Sequence, residues 1–381
     1  MSQAHPPQAQ PFLVDRSGAR YPIGESRWAG DDGSPLMVSA LAGIGRGDID
    51  IGTRSHWRYR RALPTVIARE VSLGEGCTPL VTARIGEVAL RVKLEWFNPT
   101  ASFKDRGVSV MLSLLAGQGV EAVLEDSSGN GGSSVAAYAA ASGLVATILA
   151  PESTSAAKIQ QSRLHGARVE LVPGSRAATA AEAVRRSADV FYASHNWHPF
   201  FLQGVKLIAY EIWEDLGFRA PDNVVVPAGA GSLVLGCSLG FGELLGAGQI
   251  ERMPRLLVAQ PENCSPLAVA FAAGASSVEP GEWERTIAEG ASIAEPVRAP
   301  EVLDAVARCG GDFQTVTEDE IRAATLSLVR VGLYAEPTSA VAAAAVPKLV
   351  ARGALDPAQE TVLVLTGSGL KAAESMRTLT L

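Results

Sequence analysis

The 381-residue sequence is poor in lysine, in cysteine and in charge. Only six of its 33 basic residues are lysines, charged residues make up 19% of the chain, and the formal net charge is −7. A chain with this balance is not expected to offer a general surface for nucleic acid or for anionic membranes. Its four cysteines lie far apart and form no C-x-x-C pair, so they indicate neither a disulfide framework nor a zinc ribbon. We therefore expect reduced thiols in a cytoplasmic protein, and no metal site.

A targeting segment and a membrane-spanning segment are also missing from the sequence pattern. The opening "MSQAHPPQAQ" has neither the basic nor the apolar region of a signal peptide, and it predicts a disordered lead-in over residues 1–12. The least charged long stretch, residues 131–150, is interrupted at Ser142 and Gly143. A membrane span needs about 20 mostly apolar residues, so this stretch suits a buried helix followed by a strand better.

What is present is an alternation of short apolar runs with helical stretches. About eight apolar runs recur between "ALRVKLE" at 89–95 and "TVLVLTG" at 361–367. Segments such as "TEDEIRAATLSLVRVG" separate them, and in this one Thr317 and Glu320 predict a capping box. Strands that alternate with such helices form parallel sheets covered on both faces, and a chain of this length favours two domains. The sequence therefore predicts an α/β fold of two doubly wound domains, each a mostly parallel sheet flanked by helices.

Ligands of such folds bind in the turns that follow the carboxyl ends of the strands. Four turns of small and polar residues follow predicted strands: "NPTASFKDRG", "EDSSGNGGSS", "PAGAGS" and "TGSGLK". The third has no large side chain, so its backbone N–H groups can hold a phosphate at a helix N-terminus, although an ordinary tight connection is the alternative. A dinucleotide motif would need glycine where Val234 stands, and the Gly-Lys-Ser/Thr of a Walker A loop is absent. The second turn offers hydroxyls, an amide and N–H groups for a carboxylate, more than the capping of one helix requires.

Lys104 is the most informative residue of the first turn. It lies at the start of a predicted helix, where the helix dipole disfavours a cation. A desolvated lysine in this position has a lowered pKa and is a good nucleophile, whereas a solvated surface charge is the alternative. Lys93 and Lys348 fit that alternative. A nucleophilic lysine combined with cradles for a phosphate and a carboxylate suggests pyridoxal phosphate (PLP), whose aldehyde forms a Schiff base with lysine.

The motifs also resemble a known family. "SLGEGCTPLV" followed by "LRVKLEWFNPTASFKDRG" resembles the threonine synthase pattern SLGEGNTPL and VKLE-x-x-NPTGSFKDRG, and "SSGN", "PAGAGS", "AEPTSA" and "LTGSGLK" follow in family order. Threonine synthases belong to the fold type II PLP enzymes, with the serine and threonine dehydratases, cysteine synthase and the tryptophan synthase β chain. The resemblance spans about residues 13–378. It implies a homodimer that acts on a small amino acid, with PLP in the cleft between a large domain (13–100 plus 206–381) and a small mobile domain (101–205).

The resemblance also implies roles for individual residues. Lys104 would carry the cofactor and later move protons, and Thr366 would face the pyridine nitrogen, which a hydroxyl leaves largely unprotonated. The other residues implied to hold the cofactor are Phe103, Asn130, Gly229, Ala230, Gly231 and Ser232. Those implied to hold the substrate are Ser127, Ser128, Gly129, Gly131, His198 and Phe201.

Departures from the family pattern concern the substrate. Threonine synthases convert O-phosphohomoserine to threonine and phosphate. Gly131 stands where the family usually has threonine or serine, and His198 and Phe201 replace the asparagine and arginine of an Asn-Pro-x-Arg segment. If these two side chains line the pocket, Phe201→Arg should improve the use of O-phosphohomoserine; otherwise they form aromatic packing.

Three interpretations follow. The first is a threonine synthase in which Arg163 or Arg176 replaces the missing arginine. The second is a relative that acts on an unphosphorylated or differently activated amino acid, by dehydration or β-replacement. The third is a binding homologue without turnover, which the intact Lys104, Asn130 and Thr366 disfavour.

Overall fold

The computed structural model describes residues 10–379, which form three sheets with helices packed around them. The strands are Phe12–Val14 (β1), Arg20–Pro22 (β2), Met37–Val38 (β3), Leu80–Ile85 (β4), Val88–Leu94 (β5), Ala122–Glu125 (β6), Val145–Pro151 (β7), Arg168–Val172 (β8), Phe191–Tyr192 (β9), Asn223–Pro227 (β10), Arg255–Pro261 (β11), Asp312–Val316 (β12) and Thr361–Leu365 (β13). The α-helices are Lys104–Gly117 (α1), Asn130–Ser142 (α2), Ala156–Leu164 (α3), Arg176–Arg186 (α4), Pro199–Val205 (α5), Leu207–Asp215 (α6), Ser232–Gly246 (α7), Pro266–Ala272 (α8), Ala299–Arg308 (α9), Glu318–Arg330 (α10), Pro337–Ala351 (α11) and Ala373–Arg377 (α12). Short 3-10 helices lie in the connections, among them Glu95–Phe97 and Gly369–Ala372.

The largest sheet has six strands in the order β12-β11-β10-β13-β5-β4. All neighbours are parallel except β4, which runs antiparallel to β5. Its central strand β10 is buried along its whole length, as a parallel strand covered on both faces must be. Val224 and Val226 belong to one core with residues of α6 and α7, whereas Val225 belongs to another with α11. The sheet is therefore doubly wound.

The second sheet has four parallel strands in the order β8-β7-β6-β9, and helices α2, α3 and α4 pack on it. All four strands lie between residues 101 and 205, whereas the six strands of the larger sheet lie in 13–100 and 206–381. The α/β fold with two doubly wound, mostly parallel sheets is confirmed. The domain boundaries and the mobility of the smaller domain stay predictions.

The differences from the predicted elements lie at sheet edges and at the N-terminus. The eight predicted strands are present, and Thr317 and Glu320 form the capping box that begins α10. The sequence patterns did not predict β4, β12 or the small antiparallel sheet β2-β1-β3. Strand β1 begins at Phe12, the last residue of the predicted lead-in, and residues 1–9 of that prediction lie outside the described residues. Within 10–379, no helix combines the length and apolar character that a membrane crossing requires.

Candidate active site

The four turns meet around one cavity of about 240 Å³ at the carboxyl ends of β6, β10 and β13 and the start of α1. Twelve of the fourteen residues predicted for cofactor and substrate line it: Phe103, Lys104, Ser127, Ser128, Gly129, Asn130, Gly131, Gly229, Ala230, Gly231, Ser232 and Thr366. His198 and Phe201 do not. The cavity walls also include residues to which the sequence patterns assigned no role, chiefly His195, Glu336, Lys158 and Lys371.

Lys104 is the first residue of α1 and presents an amine to this cavity. Its Nζ lies 4.7 Å from the centre of the Phe103 ring and 5.5 Å from that of Phe201, and it makes no hydrogen bond or ion pair with any residue of 10–379. Burial lowers its pKa to about 8, although the carboxyl groups of Glu125 and Glu336 oppose the shift. A substantial fraction of this amine is therefore neutral and nucleophilic near neutral pH.

Lys371 is a second lysine in the cavity wall, but its amine is engaged. Its Nζ donates to the Thr100 carbonyl at 3.1 Å, to Ser133 Oγ at 2.6 Å and to Gln161 Oε1 at 2.7 Å. Burial lowers its pKa to about 8 as well. A lysine ammonium has three N–H bonds, and here each has an acceptor. Of the two lysines, the geometry therefore favours Lys104 as the nucleophile.

Asp105 explains why a threonine stands four residues before the lysine. Its carboxylate accepts from the backbone N–H and the Oγ1 of Thr100, both at 2.6 Å, and from Ser134 Oγ of α2, also at 2.6 Å. The N–H of Phe103 donates to the Thr366 carbonyl at 3.0 Å. The lysine turn is thus joined to α2 and to the turn after β13.

Arg106 holds the same turn from inside the core. Its guanidinium donates to both carboxylate oxygens of Glu95 at 2.7 and 2.8 Å and to both of Glu211 at 2.9 Å, and all three side chains are buried. Lys93 completes the cluster: its Nζ lies 2.7 Å from Glu211 and 2.6 Å from Asp215. The expectation that Lys93 is a solvated charge is therefore wrong, because the end of β5 is covered on both faces. Breaking such a buried cluster by removing one partner typically costs about 3–5 kcal/mol.

The turn after β10 has the form of a phosphate cradle. Gly231 precedes α7 with a φ of +85°, and a Cβ there would lie 2.4 Å from Val302 Cγ2. A Cβ on Gly229 would lie 2.6 Å from the Gly290 carbonyl oxygen. The first hydrogen bond of α7 joins the Leu235 N–H to the Gly231 carbonyl at 3.0 Å, so the preceding N–H groups are free of helical partners. A phosphate fits this arrangement of amides at the positive end of a helix.

Two further groups suit the ring of PLP. The Asn130 amide donates to both oxygens of Glu336 at 3.1 and 3.2 Å, and burial raises the Glu336 pKa to about 7. Thr366 Oγ1 lies 3.1 Å from Ser339 Oγ, so a neutral hydroxyl pair stands at this wall. Ser368, the next hydroxyl, instead caps the Leu370 N–H. An unpaired amine, an amide cradle and a neutral hydroxyl together fit PLP.

His195 and Glu125 form a pair that the sequence patterns did not reveal. Glu125 ends β6 and His195 follows β9, and these strands are neighbours in the smaller sheet. Glu125 Oε1 lies 3.0 Å from His195 Nδ1, and Oε2 accepts from the His195 N–H at 3.1 Å. A Cβ on Gly131 would lie 2.8 Å from both Nδ1 and Cε1 of this ring. His195 thus occupies the space that a larger residue 131 would need.

The placement of His198 and Phe201 differs from the expectation. His198 is buried at the start of α5, where its Nδ1 accepts from the Phe200 N–H at 3.3 Å. Phe201 is fully buried, and its ring lies so close to α1 that a Cβ on Gly107 would come within 2.4 Å of it. The aromatic-packing alternative describes both side chains, because the turn of α5 directs them into the core and not into the cavity.

Comparison with known proteins agrees with this geometry. Residues 71–367 match the model of the pyridoxal-phosphate dependent enzyme family. The chain belongs to this family. Its cofactor is therefore PLP.

Individual relatives of this PLP-dependent protein are threonine synthases. The threonine synthase of Methanocaldococcus jannaschii is 37% identical over 83% of this chain and 80% of its own. That of Mycobacterium tuberculosis is 32% identical over 79% of this chain and 83% of its own. Among solved structures, maize serine racemase (TM-score 0.67, 22% identity, 80% of this chain and 91% of that one) and a fungal L-serine ammonia-lyase from Rhizomucor miehei (0.68, 20%, 80% and 98%) share the fold.

Proposed function

We propose that this chain is a PLP-dependent carbon–oxygen lyase of the threonine synthase type, acting on a small amino acid. The unpaired amine of Lys104 carries the proposal, since it opens into a cavity that also holds an amide cradle and the polar turn 127–131. The identity with threonine synthases over most of the chain supports the reaction type.

The roles of the residues follow from their chemistry. PLP, when bound, supplies an electron sink for negative charge that develops on the substrate carbon chain. The N–H groups of residues 229–232 bind its phosphate, and Thr366 gives its ring nitrogen a neutral partner. Ser127, Ser128 and the N–H of Gly129 orient the substrate carboxylate. Lys104 moves protons at the substrate carbons next to the carboxylate, for which a pKa of about 8 suits it.

The first candidate substrate is O-phosphohomoserine, and it needs a cation in the cavity. Arg176 lines the cavity, whereas Arg163 is exposed and lies outside it. Of the two arginines considered as replacements, Arg176 is therefore the better candidate for a contact with a substrate phosphate. Lys158 is a second cation of the same wall.

An unphosphorylated amino acid is the second candidate. The pairing of Arg176 and Lys158 supports it, whereas Lys371, whose three acceptors are neutral, leaves one cation for a substrate phosphate. Arg176 Nη1 lies 2.5 Å from Asp126, and Lys158 pairs with Glu289. Both positive charges are thus largely compensated before a substrate arrives. A substrate phosphate would have to compete with these carboxylates, whereas a hydroxyl would not.

A substrate panel tests the proposal. The holoenzyme is supplied with O-phosphohomoserine, L-serine and L-threonine, and released phosphate, ammonia, 2-oxo acid and threonine are measured. Phosphate together with threonine identifies the first candidate; ammonia together with a 2-oxo acid identifies the second. Lys104→Ala serves as the inactive control. An absence of turnover on every member of the panel, in protein that carries PLP, would contradict lyase function.

We also propose a homodimer in the cytoplasm, with residues 101–205 moving as a unit relative to the rest. These proposals follow from the family resemblance. Light scattering of the purified protein tests the dimer, and a single-chain mass at micromolar concentration would rule it out. Hydrogen exchange of 101–205 with and without substrate tests the motion.

A further inference from the structure

The pair of His195 and Glu125 has no part in the roles assigned so far, although the His195 ring lines the same cavity as Lys104. Two contacts join His195 to Glu125. The ring Nδ1 lies 3.0 Å from Glu125 Oε1, and the backbone N–H of His195 donates to Glu125 Oε2 at 3.1 Å. Nε2 makes no hydrogen bond with any residue of the described chain. The ring lines the cavity, so Nε2 is its free polar atom there.

The surroundings hold this ring in one place. The Phe201 ring packs against it at 5.7 Å between centres, and Phe201 is itself fixed against Gly107. On the other side of the ring lies Gly131, which has no side chain and therefore leaves room for the imidazole. The two departures from the family pattern at positions 131 and 201 therefore border the same imidazole. Together these contacts restrict the position of the His195 ring.

We propose that His195 is an acid–base group for the oxygen leaving group of the substrate, and that Glu125, behind it, supplies and recovers the proton. This inference rests on the proposed lyase function. It places the leaving group on the side of the cavity lined by His195. Glu125 does not line the cavity, so it acts through the imidazole.

The surroundings keep the imidazole neutral and favour the protonated form of Glu125. Burial raises the pKa of Glu125 to about 7, partly offset by the His195 N–H, Arg176 and Lys104. Burial and the positive charges of Lys104 and Arg176 lower the pKa of His195 well below its ordinary value, against the opposing charge of Asp126. The imidazole is therefore neutral. When Glu125 is protonated, its O–H donates to Nδ1 and an Nε2–H points into the cavity.

The proton transfer balances without any further reactant. As the carbon–oxygen bond breaks, its electron pair leaves with the oxygen, which takes the proton from Nε2. At the same time Nδ1 takes the proton of Glu125, which becomes a carboxylate. The substrate proton removed by Lys104 leaves its bonding pair in the new carbon–carbon double bond. Where water then adds, Nε2 accepts its proton and Nδ1 returns one to Glu125.

The test compares leaving groups that need a proton with one that does not. The oxygen-leaving substrate is whichever of O-phosphohomoserine, L-serine and L-threonine the wild type turns over, and the other is 3-chloroalanine, whose chloride leaves unprotonated. General acid–base catalysis contributes about 10²–10⁴-fold. His195→Gln should therefore lose about 10²–10⁴-fold in kcat on the oxygen-leaving substrate and less than about tenfold on 3-chloroalanine. Glu125→Gln should show the same selectivity, and His165→Gln, at an exposed histidine after α3, should change neither rate.

Equal losses on both substrates, or no loss on the oxygen-leaving one, would overturn the proposal. A second measurement does not depend on turnover or on the folding of variants: ¹⁵N NMR of the wild-type holoenzyme reports the tautomer of His195. We expect a neutral ring with Nε2–H when Glu125 is protonated, changing to Nδ1–H as Glu125 ionises. A cationic ring from pH 6 to 8 would overturn the proposal. If the wild type turns over no oxygen-leaving substrate, the lyase function fails, and the NMR result alone decides the arrangement of the pair.

Discussion

The contact between Gly131 and His195 leads to a quantitative prediction for Gly131→Ala. The added Cβ would lie 2.8 Å from two ring atoms of His195 and 3.0 Å from Ser127 Oγ, closer than ordinary van der Waals contact. Overpacking of this kind costs about 1–3 kcal/mol. Position 131 is in the first turn of α2, where alanine is favoured over glycine by up to about 1 kcal/mol. We therefore expect the free energy of unfolding to fall by about 0–3 kcal/mol.

A double-mutant cycle isolates the contact. In a His195→Ala background the two closest contacts of the same Cβ are removed, so Gly131→Ala should raise the free energy of unfolding by up to about 1 kcal/mol. The coupling energy between the two positions should be about 1–3 kcal/mol. The assay is urea unfolding of the four holoproteins, followed by circular dichroism.

Gly242→Ala is the matched control. It lies inside α7, and a Cβ there meets no atom within 4 Å, so it should stabilise the protein equally in both backgrounds. A coupling energy near zero, or Gly131→Ala alone stabilising as much as Gly242→Ala, would show that the ring does not occupy the space beside residue 131.

Four further predictions concern the lysine, the hydroxyl and the buried phenylalanine. Borohydride reduction of the holoprotein should label the peptide of Lys104, and a label at Lys371 would contradict the assignment. Only the neutral amine attacks the cofactor aldehyde, so covalent loading of the apoprotein should accelerate as pH rises. The loading rate should reach half its maximum near pH 8, the Lys104 pKa, and a half-maximal rate near pH 10.5 would argue against burial of the amine. Thr366→Val should fold and bind PLP but turn over about tenfold more slowly, since such a hydrogen bond is worth about 0.5–1.5 kcal/mol; unchanged steady-state kinetics would place the partner of the ring nitrogen elsewhere. Phe201→Arg should lower the free energy of unfolding by about 3–5 kcal/mol in urea titrations without improving the use of O-phosphohomoserine, because it buries an unpaired charge; a stable variant with faster threonine formation would refute this.

The predictability of the fold depended on where each strand lies in its sheet. Central strands such as β10 and β13 are buried on both faces and appear in the sequence as unbroken apolar runs. The two strands missed in the six-stranded sheet, β4 and β12, are its two edges. Each carries several partly exposed residues, so neither has a continuous apolar run. Sequence patterns therefore identified the interior of the sheet and missed its borders.

The same distinction applies to the site. Residues that follow their own strand in a turn, such as Lys104 and Asn130, could be found locally because the turn itself faces the cavity. His195 could not, since its importance depends on β9 lying next to β6 and on the empty space beside Gly131. For Phe201, the direction of the side chain depends on the packing of α5 against α1, which no local pattern of the sequence reveals.

The position of Lys371 has a practical consequence for preparations of this protein. All strands of both large sheets are complete by Leu365, and Lys371 lies beyond them in the short 3-10 helix before α12. Proteolytic trimming that removed the residues from 370 onward would leave both sheets intact and delete the amine that joins Thr100, Ser133 and Gln161. Such material would lack three residues of the cavity lining, Lys371, Ala372 and Ser375, while it retained every strand of both large sheets. Intact-mass measurement should therefore accompany every activity assay.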